Sequence, residues 1–189
     1  MSCSNALEIF INKYLIAYRD ALSELPRYYA LGEDSACIQG QLDDDLDKAV
    51  FFTPFKRKTC ADFHNVEHAL SLSLHGDIHP FYGQFYSAPL MFTSEWGEGE
   101  LLQAWNQQDF EYLQQNMIGH LMMKKKLKQP PTWFIGVLGE GDQMLTVDNE
   151  TGAVCIEIPG EKPCQKLADS LEVFLTAITP RITPPVKPD

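Results

Sequence analysis

The chain has 189 residues, of which 44% are hydrophobic and 22% are charged, and this usage argues against a wholly disordered chain. A chain of this length corresponds to one domain, or at most to two very small ones. The 26 acidic residues outnumber the 15 Lys and Arg and give a formal net charge of −11. This balance disfavours binding to nucleic acid and to anionic membranes, because both require a basic footprint. It leaves a cationic partner, or plain solubility, as the reason for the charge.

The acidic residues are concentrated in two stretches that contain no Lys or Arg. Residues 59–123 carry eight acidic side chains, and residues 129–161 carry six. Four lysines lie between these stretches, at positions 124, 125, 126 and 128. A solvated acidic surface is the commoner explanation for such runs. The alternative is an acidic binding face, which requires the acids to share one side of the fold.

The two ends and the cysteines set the expected compartment. The first residues show no basic region followed by an apolar run, so we expect no secretory signal. No window approaches the roughly 20 apolar residues of a membrane-spanning helix. Five cysteines without a signal indicate reduced cytosolic thiols. We expect a single domain over residues 1–179 and a Pro-rich flexible tail over residues 180–189.

The first half of the chain predicts helices separated by a polar loop. Apolar residues at helical spacing predict a helix that is capped by Ser4 or Asn5 and ends near Leu22. Residues 32–48 are polar and acidic and are interpreted as a surface loop. A short helix is predicted over residues 62–73, and the aromatic-rich run 80–86 is compatible with another.

The middle of the chain predicts two strands and a long helix. Residues 90–96 alternate in polarity and predict a strand, residues 97–100 a turn, and residues 101–105 the next strand. Asn106 begins a pattern typical of a capped helix, with Asp109 in its first turn. The lysines at 124–126 then fall in the last turn of this helix, where cations offset the negative end of the helix dipole.

The last third predicts a strand over residues 132–138, a turn at 139–142 and then a β-hairpin. The turn at residues 149–152 joins strands at 143–148 and 153–158, and it pairs Thr146 with Cys155 and Met144 with Glu157. A final helix follows, with apolar residues between positions 167 and 178. The chain is therefore predicted to be an α+β single domain, with a mostly antiparallel sheet of about five strands and helices packed on one face.

The hairpin register places acidic residues relative to the core. Leu145, Val147 and the apolar residues of the second strand share one face, which must be the face that the helices cover. Asp148 and Glu157 then lie on the open face. Glu95 also falls opposite the more apolar side of its strand. Because these strands contain no Lys or Arg, we interpret the open face as acidic.

Histidine spacings give only a weak indication of a metal site. Cys60, His64 and His68 are four residues apart, and His75 and His79 repeat that spacing. These spacings match none of the common zinc-finger or metalloprotease patterns, so we expect no metal ligands and no cofactor. Phosphate-binding, dinucleotide-binding and nucleophile-elbow motifs are also absent from the sequence, and no catalytic residues are predicted.

Several segments in order resemble the Syd family of gamma-proteobacteria. The most specific are Ile118-Gly119-His120-Leu121 and the run from Leu127 to Thr132 that contains Pro130-Pro131. The resemblance extends over most of the chain and is less clear in the first 60 residues and in the Pro-rich tail. The matching segments are 78–86, 101–106, 109–110, 115–121, 126–132, 148–154 and 167–175.

The resemblance implies a SUKH-like α+β fold and a function as a binding protein rather than an enzyme. Syd proteins bind SecY, the channel protein of the SecYEG translocase, at the cytoplasmic face of the inner membrane, through an acidic concave surface. They are proposed to check SecY assembly or to restrain the translocase. The implied location is cytoplasmic and peripheral, held at the membrane through SecY, with no nucleic acid and no direct lipid contact.

The residues expected to contact the partner come from the face assignment and not from a family motif. They are Glu95, Glu98, Glu100, Asp109, Asp148 and Glu157. Two other functions remain open from the sequence. One is a SUKH-type immunity protein that neutralises a toxin, and the other is a hydrolase that uses carboxylates or a metal held by His64 and His68.

Overall fold

The computed structural model describes residues 2–42, 45–139, 141 and 143–188. In this part of the chain there are five helices. They are α1 (Cys3–Leu22), α2 (His64–Leu70), α3 (Ile78–Gly83), α4 (Gln107–Lys126) and α5 (Leu171–Ala177).

The strands form one large sheet and two small ones, and every strand pair is antiparallel. The large sheet has seven strands among the described residues, in the order β11-β10-β9-β8-β7-β6-β12. Its strands are β6 (Leu90–Ser94), β7 (Gly97–Leu101), β8 (Thr132–Leu138), β9 (Met144–Asp148), β10 (Val154–Glu157), β11 (Gln165–Ala168) and β12 (Thr179–Pro180). The small sheets contain β1 (Arg27–Tyr28), β2 (Ile38–Gln39), β3 (Val50–Phe52), β4 (Phe55–Lys56) and β5 (Phe85–Tyr86).

The two long helices follow their sequence signals. In α1 the cap is Ser2, whose hydroxyl accepts from the backbone N–H of Asn5 at 3.3 Å, so the helix begins slightly before the predicted Ser4 or Asn5. In α4 the predicted cap is confirmed, because Asn106 Oδ1 accepts from the N–H of Asp109 at 2.9 Å. These contacts satisfy backbone donors that the first helical turn leaves unpaired.

The predicted hairpin and its register are confirmed. Thr146 lies opposite Cys155, and Met144 lies opposite Glu157. Asp148 N donates to Ala153 O at 2.9 Å and closes the turn. The prediction succeeded because a four-residue turn between alternating strands fixes which residues face each other.

The predicted turn at residues 97–100 was wrong, because these residues form most of β7. The chain turns earlier, at residues 95–96, and β7 ends at Leu101 rather than starting there. Glycine is needed here for close packing, since a Cβ on Gly99 would lie 2.5 Å from Val137 O. The Gly-rich composition that indicated a turn therefore reflects contact with the neighbouring strand.

Other boundaries shift in smaller ways. The predicted loop at 32–48 contains the short strand β2, and its residues 43 and 44 lie outside the described residues. The helix predicted over 62–73 is shortened to α2, and the last helix begins only at Leu171 because β11 precedes it. Positions 140 and 142 of the predicted turn at 139–142 also lie outside the described residues.

The helices contact both faces of the large sheet. On one face Trp133 packs against Phe81 of α3, with ring centroids 6.3 Å apart. On the other face the preceding residue, Thr132, contacts His120 of α4 at 3.0 Å. The α+β class and the antiparallel sheet are confirmed, with seven strands instead of about five and with helices on two faces instead of one.

The segment after α5 contacts the rest of the domain. Residues 179–180 pair with β6, and Thr183 exchanges hydrogen bonds with the hydroxyl of Tyr18. The flexibility predicted for this tail stays a prediction. No helix among the described residues has the length and apolar character needed to cross a membrane.

Candidate binding surface

The part of the sheet that α4 leaves uncovered presents acidic side chains. Glu100 lies opposite both Met91 and Val137 in the register of β6, β7 and β8, so these side chains share a face. Glu98 is two residues away on the same strand and therefore points to the same side. They surround a first cleft of about 220 Å³, lined by Met91, Glu98, Gly99, Glu100, Val137, Gly139 and Arg181.

Two further clefts continue from the first and share its residues. Met91 and Glu100 also line a second cleft of about 130 Å³, together with Tyr28 and residues 183–186 of the C-terminal segment. Tyr28 in turn lines a third cleft of about 310 Å³, together with Glu33 and Asp109. We call these adjoining clefts the groove, which extends from Glu98 to Asp109.

Two carboxylates of the groove act electrostatically on the same tyrosine. Burial raises the pKa of Glu100, and the positive charge of Arg181 opposes that rise. The pKa of Tyr28 is raised first by burial and then by the negative charges of Asp109 and Glu100. Acids from β7 and from the start of α4 therefore share one electrostatic environment, although they come from different elements.

Aromatic side chains form the wall of the third cleft, and the backbone of Trp105 holds Asp109 in place. Tyr28 and Trp105 pack with ring centroids 4.9 Å apart. The backbone N–H of Trp105 donates to Asp109 Oδ2 at 2.7 Å, and its indole N–H donates to Glu33 O at 2.9 Å. A cation in this cleft would meet carboxylate oxygens and aromatic ring faces together, which is a favourable setting for Arg or Lys.

Three of the predicted contact residues line the groove, and a fourth lies in an exposed turn and lines none of its clefts. Glu98, Glu100 and Asp109 line it, and Glu95 is exposed in the turn that joins β6 to β7. Asp148 has a local role, because its Oδ1 accepts from the backbone N–H groups of residues 150 and 151 and from the hydroxyl of residue 151. It is not among the residues that line the groove.

The prediction that Glu157 lies on an open face was wrong, because this side chain is completely buried. Its Oε1 accepts from Lys124 Nζ at 2.8 Å, and its Oε2 accepts from the hydroxyls of Thr132 at 2.8 Å and Thr146 at 3.1 Å. The residue does lie on the side predicted from the hairpin register. However, α4 covers that side at this point and supplies a buried lysine.

Sequence reasoning missed several residues of the groove. Tyr28 and Glu33 lie outside the acidic stretches in sequence, and their contacts with Trp105, just before α4, bring them to the groove. Arg181 lies in the tail that was interpreted as flexible, yet its Nη1 lies 3.1 Å from Glu98 Oε2. The sequence offered one signal for such a residue: the acidic stretches contain no Lys or Arg, so a cation that pairs with their acids comes from another part of the chain.

The structure also tests the histidine spacings. His64, Glu67 and His79 place one potential ligand atom each within 4.8 Å of one another, whereas His68 is outside this cluster. However, His79 Nδ1 accepts from the backbone N–H of Phe63 at 3.0 Å, so the neutral ring carries its proton on Nε2. A cation at either nitrogen would displace that hydrogen bond or that proton, so this arrangement does not favour a metal.

Comparison with known proteins identifies the family that this chain resembles. The family model described as Syd protein (SUKH-2) matches residues 4–180. A relative from Shewanella frigidimarina named Protein Syd is 67% identical over 188 residues, which cover 100% of this chain and 87% of the relative. Relatives of the same name from Shewanella denitrificans and Shewanella baltica are each 62% identical, covering 100% and 99% of this chain and 86% and 87% of their own lengths.

Proposed function

The chain belongs to the Syd family, and on that premise we propose that it binds the basic cytoplasmic loops of SecY through the groove. In this proposal it regulates or checks SecY and the SecYEG translocase, and it is held at the cytoplasmic side of the inner membrane by that contact. It performs no catalysis and uses no cofactor. It contacts neither nucleic acid nor lipid directly.

The observation that carries the proposal is the convergence of acids on one concave surface. Glu98, Glu100, Glu33 and Asp109 line adjoining clefts, although they come from a strand, a loop and a helix. Three of them come from residues 59–123, a stretch that contains no Lys or Arg to neutralise them. Such a surface is complementary to the Lys and Arg that are enriched in the cytoplasmic loops of membrane proteins.

The chemistry of the groove suits a guanidinium or an ammonium group. Carboxylates supply charge-assisted hydrogen bonds, and a guanidinium can engage a carboxylate with two of them. Charge complementarity of this kind mainly raises the association rate and excludes partners of the wrong sign. A loop with two or more basic residues could occupy the clefts at Glu98 and at Asp109 together.

Charge reversal in the groove tests this proposal. Binding to SecYEG proteoliposomes would be measured for the wild type and for Glu33→Lys and Glu98→Lys. Each variant replaces attraction by repulsion at one cleft, so we expect an affinity loss of about tenfold or more at low salt.

The matched control is Glu150→Lys, which makes the same charge change at an exposed position in the hairpin turn away from the groove-lining residues. It should retain most of the affinity. Thermal unfolding followed by circular dichroism establishes that all three variants fold. Equal losses for the control and the groove variants, or no loss in any of them, would contradict the assignment of the groove.

A further inference from the structure

The chain supplies its own cation to the groove from its C-terminal segment, residues 179–188, which we call the strap. The strap starts as β12, where Thr179 lies opposite Thr93 and Pro180 opposite Phe92 on the edge of the large sheet. The next residue, Arg181, donates its backbone N–H to Met91 O at 3.0 Å. Met91 lines both the first and the second cleft, so the strap enters the groove at this point.

The side chain of Arg181 lies in the first cleft beside the carboxylate of Glu98. Its Nη1 lies 3.1 Å from Glu98 Oε2, and its charge also opposes the raised pKa of Glu100. It lines the first cleft together with both carboxylates. Since residues 59–123 contain no Lys or Arg, this guanidinium comes from another part of the chain.

The rest of the strap extends along the groove. Residues 183–186 line the second cleft beside Tyr28 and Glu100. The N–H of Thr183 donates to Tyr18 Oη at 3.2 Å, and Tyr18 Oη donates to Thr183 O at 3.1 Å. Further on, Lys187 forms an ion pair with Asp47. The strap thus carries a basic residue near each end and prolines between them.

Two of the contacts that hold the strap, the strand β12 and the Arg181–Glu98 pair, are weak. The strand β12 has two residues and lies on the edge of the sheet. The Arg181–Glu98 pair is exposed, with side-chain exposures of 30% and 63%, and exposed ion pairs contribute little to stability. Arg181 Nε is buried without a hydrogen-bond partner among the described residues, so the guanidinium is incompletely satisfied. Such terminal segments open at low free-energy cost.

We propose that the strap is an internal competitor for the groove, with Arg181 occupying an arginine-binding cleft between Glu98 and Glu100 until a partner's arginine replaces it. The identity of that partner as SecY rests on the function proposed above. The chemical class of the ligand, a guanidinium on an extended basic segment, is independent of that proposed function. A groove that is closed for part of the time lowers the apparent affinity for its partner by the fraction that is open.

The first experiment removes the competitor in the full-length chain. Arg181→Gln would be compared with Arg19→Gln, which makes the same charge change at an exposed position of α1. The probes are a synthetic peptide of alternating Arg and Gly and, separately, SecYEG proteoliposomes. If the strap leaves the groove open about a tenth of the time, Arg181→Gln should tighten binding about tenfold beyond the effect of Arg19→Gln.

The second experiment holds the strap in place reversibly. Thr93→Cys and Thr179→Cys would be combined, because these residues face each other in the register of β6 and β12. The exposed Cys60 and Cys164 would be replaced by Ser to prevent other disulfides. The oxidised protein should bind the peptide more weakly than the same protein after reduction, and the Cys60→Ser, Cys164→Ser parent should not respond to reduction.

The outcomes separate the two proposals. Equal affinities of Arg181→Gln and Arg19→Gln for the peptide, or a failure of every variant to bind it, would overturn the strap. If Arg181→Gln binds the peptide more tightly but no variant binds SecYEG, the competition by the strap is supported and the proposed function is contradicted. If the wild type binds SecYEG and Arg181→Gln changes neither the affinity for the peptide nor that for SecYEG, the proposed function is supported and the competition by the strap is contradicted.

Discussion

At the scale of single residues, Lys124 shows how a surface-like pattern can conceal a buried group. The three lysines at 124–126 were attributed to the negative end of the α4 dipole, and they do lie in its last turn. Yet Lys124 is fully buried, and its Nζ donates to Glu157 Oε1 at 2.8 Å and to Glu161 O at 3.1 Å. A buried charge of this kind is tolerated only with its partner present.

The dependence of each partner on the other gives a stability prediction. Lys124→Met should lower the free energy of unfolding by about 3–5 kcal/mol, because it leaves the carboxylate of Glu157 buried without its cation. The double variant Lys124→Met, Glu157→Gln should recover part of that loss, since the amide that replaces the carboxylate is neutral. Urea unfolding followed by far-UV circular dichroism measures both values.

The neighbouring Lys125 provides the control, because it is exposed on the same helical turn. Lys125→Met should change the free energy of unfolding by less than about 0.5 kcal/mol. Similar losses at positions 124 and 125 would show that the ion pair is not the source of the effect. A double variant less stable than Lys124→Met would show that Glu157 does not depend on the lysine.

The sequence could identify the side of the strand on which Glu157 lies, but not its burial. Alternation along β10 and the hairpin turn determine the side. Burial depends on where α4 crosses the sheet, and neither the period of the helix nor the spacing of its lysines contains that information. Glu98 and Glu100 lie on the same face but beyond α4, and for that reason they remain accessible.

At the scale of elements, β7 and β8 show why glycine was misinterpreted as a turn signal. A Cβ on Gly136 would lie 2.1 Å from Glu100 O, and a Cβ on Gly99 would lie 2.5 Å from Val137 O. These glycines allow the two strands to approach closely where the register of β8 shifts. Turn propensity and close backbone approach favour the same residue, so composition alone cannot separate them.

This close approach predicts opposite effects for two substitutions of the same kind. Gly136→Ala should lower the free energy of unfolding by about 3 kcal/mol, because the methyl group collides with backbone that cannot move without distorting β7. Gly119→Ala should raise it by about 0.5–1 kcal/mol, because Gly119 lies within α4 and a Cβ there would meet nothing within 4 Å. Urea unfolding midpoints compare the two variants, and shifts of the same sign would contradict this account.

Elements with a local signal were predicted best. The cap at Asn106, the body of α4 and the β9–β10 hairpin each depend on residues within a few positions, and all were found. The strands β11 and β12 and those of the two small sheets were missed. These strands are two to four residues long. They are stabilised by pairing with distant segments and not by an alternating pattern within the strand.

At the scale of the whole molecule, the groove is a property of the tertiary structure. It joins Tyr28 of a small sheet, Glu100 of the large sheet and Asp109 of α4, and Arg181 reaches it from the far end of the chain. The sequence could predict that acids predominate, but it placed Glu98 and Glu100 in a turn instead of on the face of a strand. It could not predict that the acids of different elements adjoin one another, because that depends on how the elements pack.

The charge of the whole molecule leads to the last prediction, which concerns ionic strength. If the acids of the groove attract a basic loop, the affinity for SecYEG proteoliposomes should fall by about tenfold or more as NaCl rises from about 0.05 M to about 0.5 M, because the Debye length shrinks to a few ångströms. The loss should appear mainly as slower association, which stopped-flow or biosensor kinetics can resolve. The double variant Glu33→Lys, Glu98→Lys should show a weaker salt dependence of binding than the wild type. The control Glu150→Lys should keep the salt dependence of the wild type. Salt-insensitive binding by the wild type would contradict the electrostatic mechanism even if SecYEG were the partner.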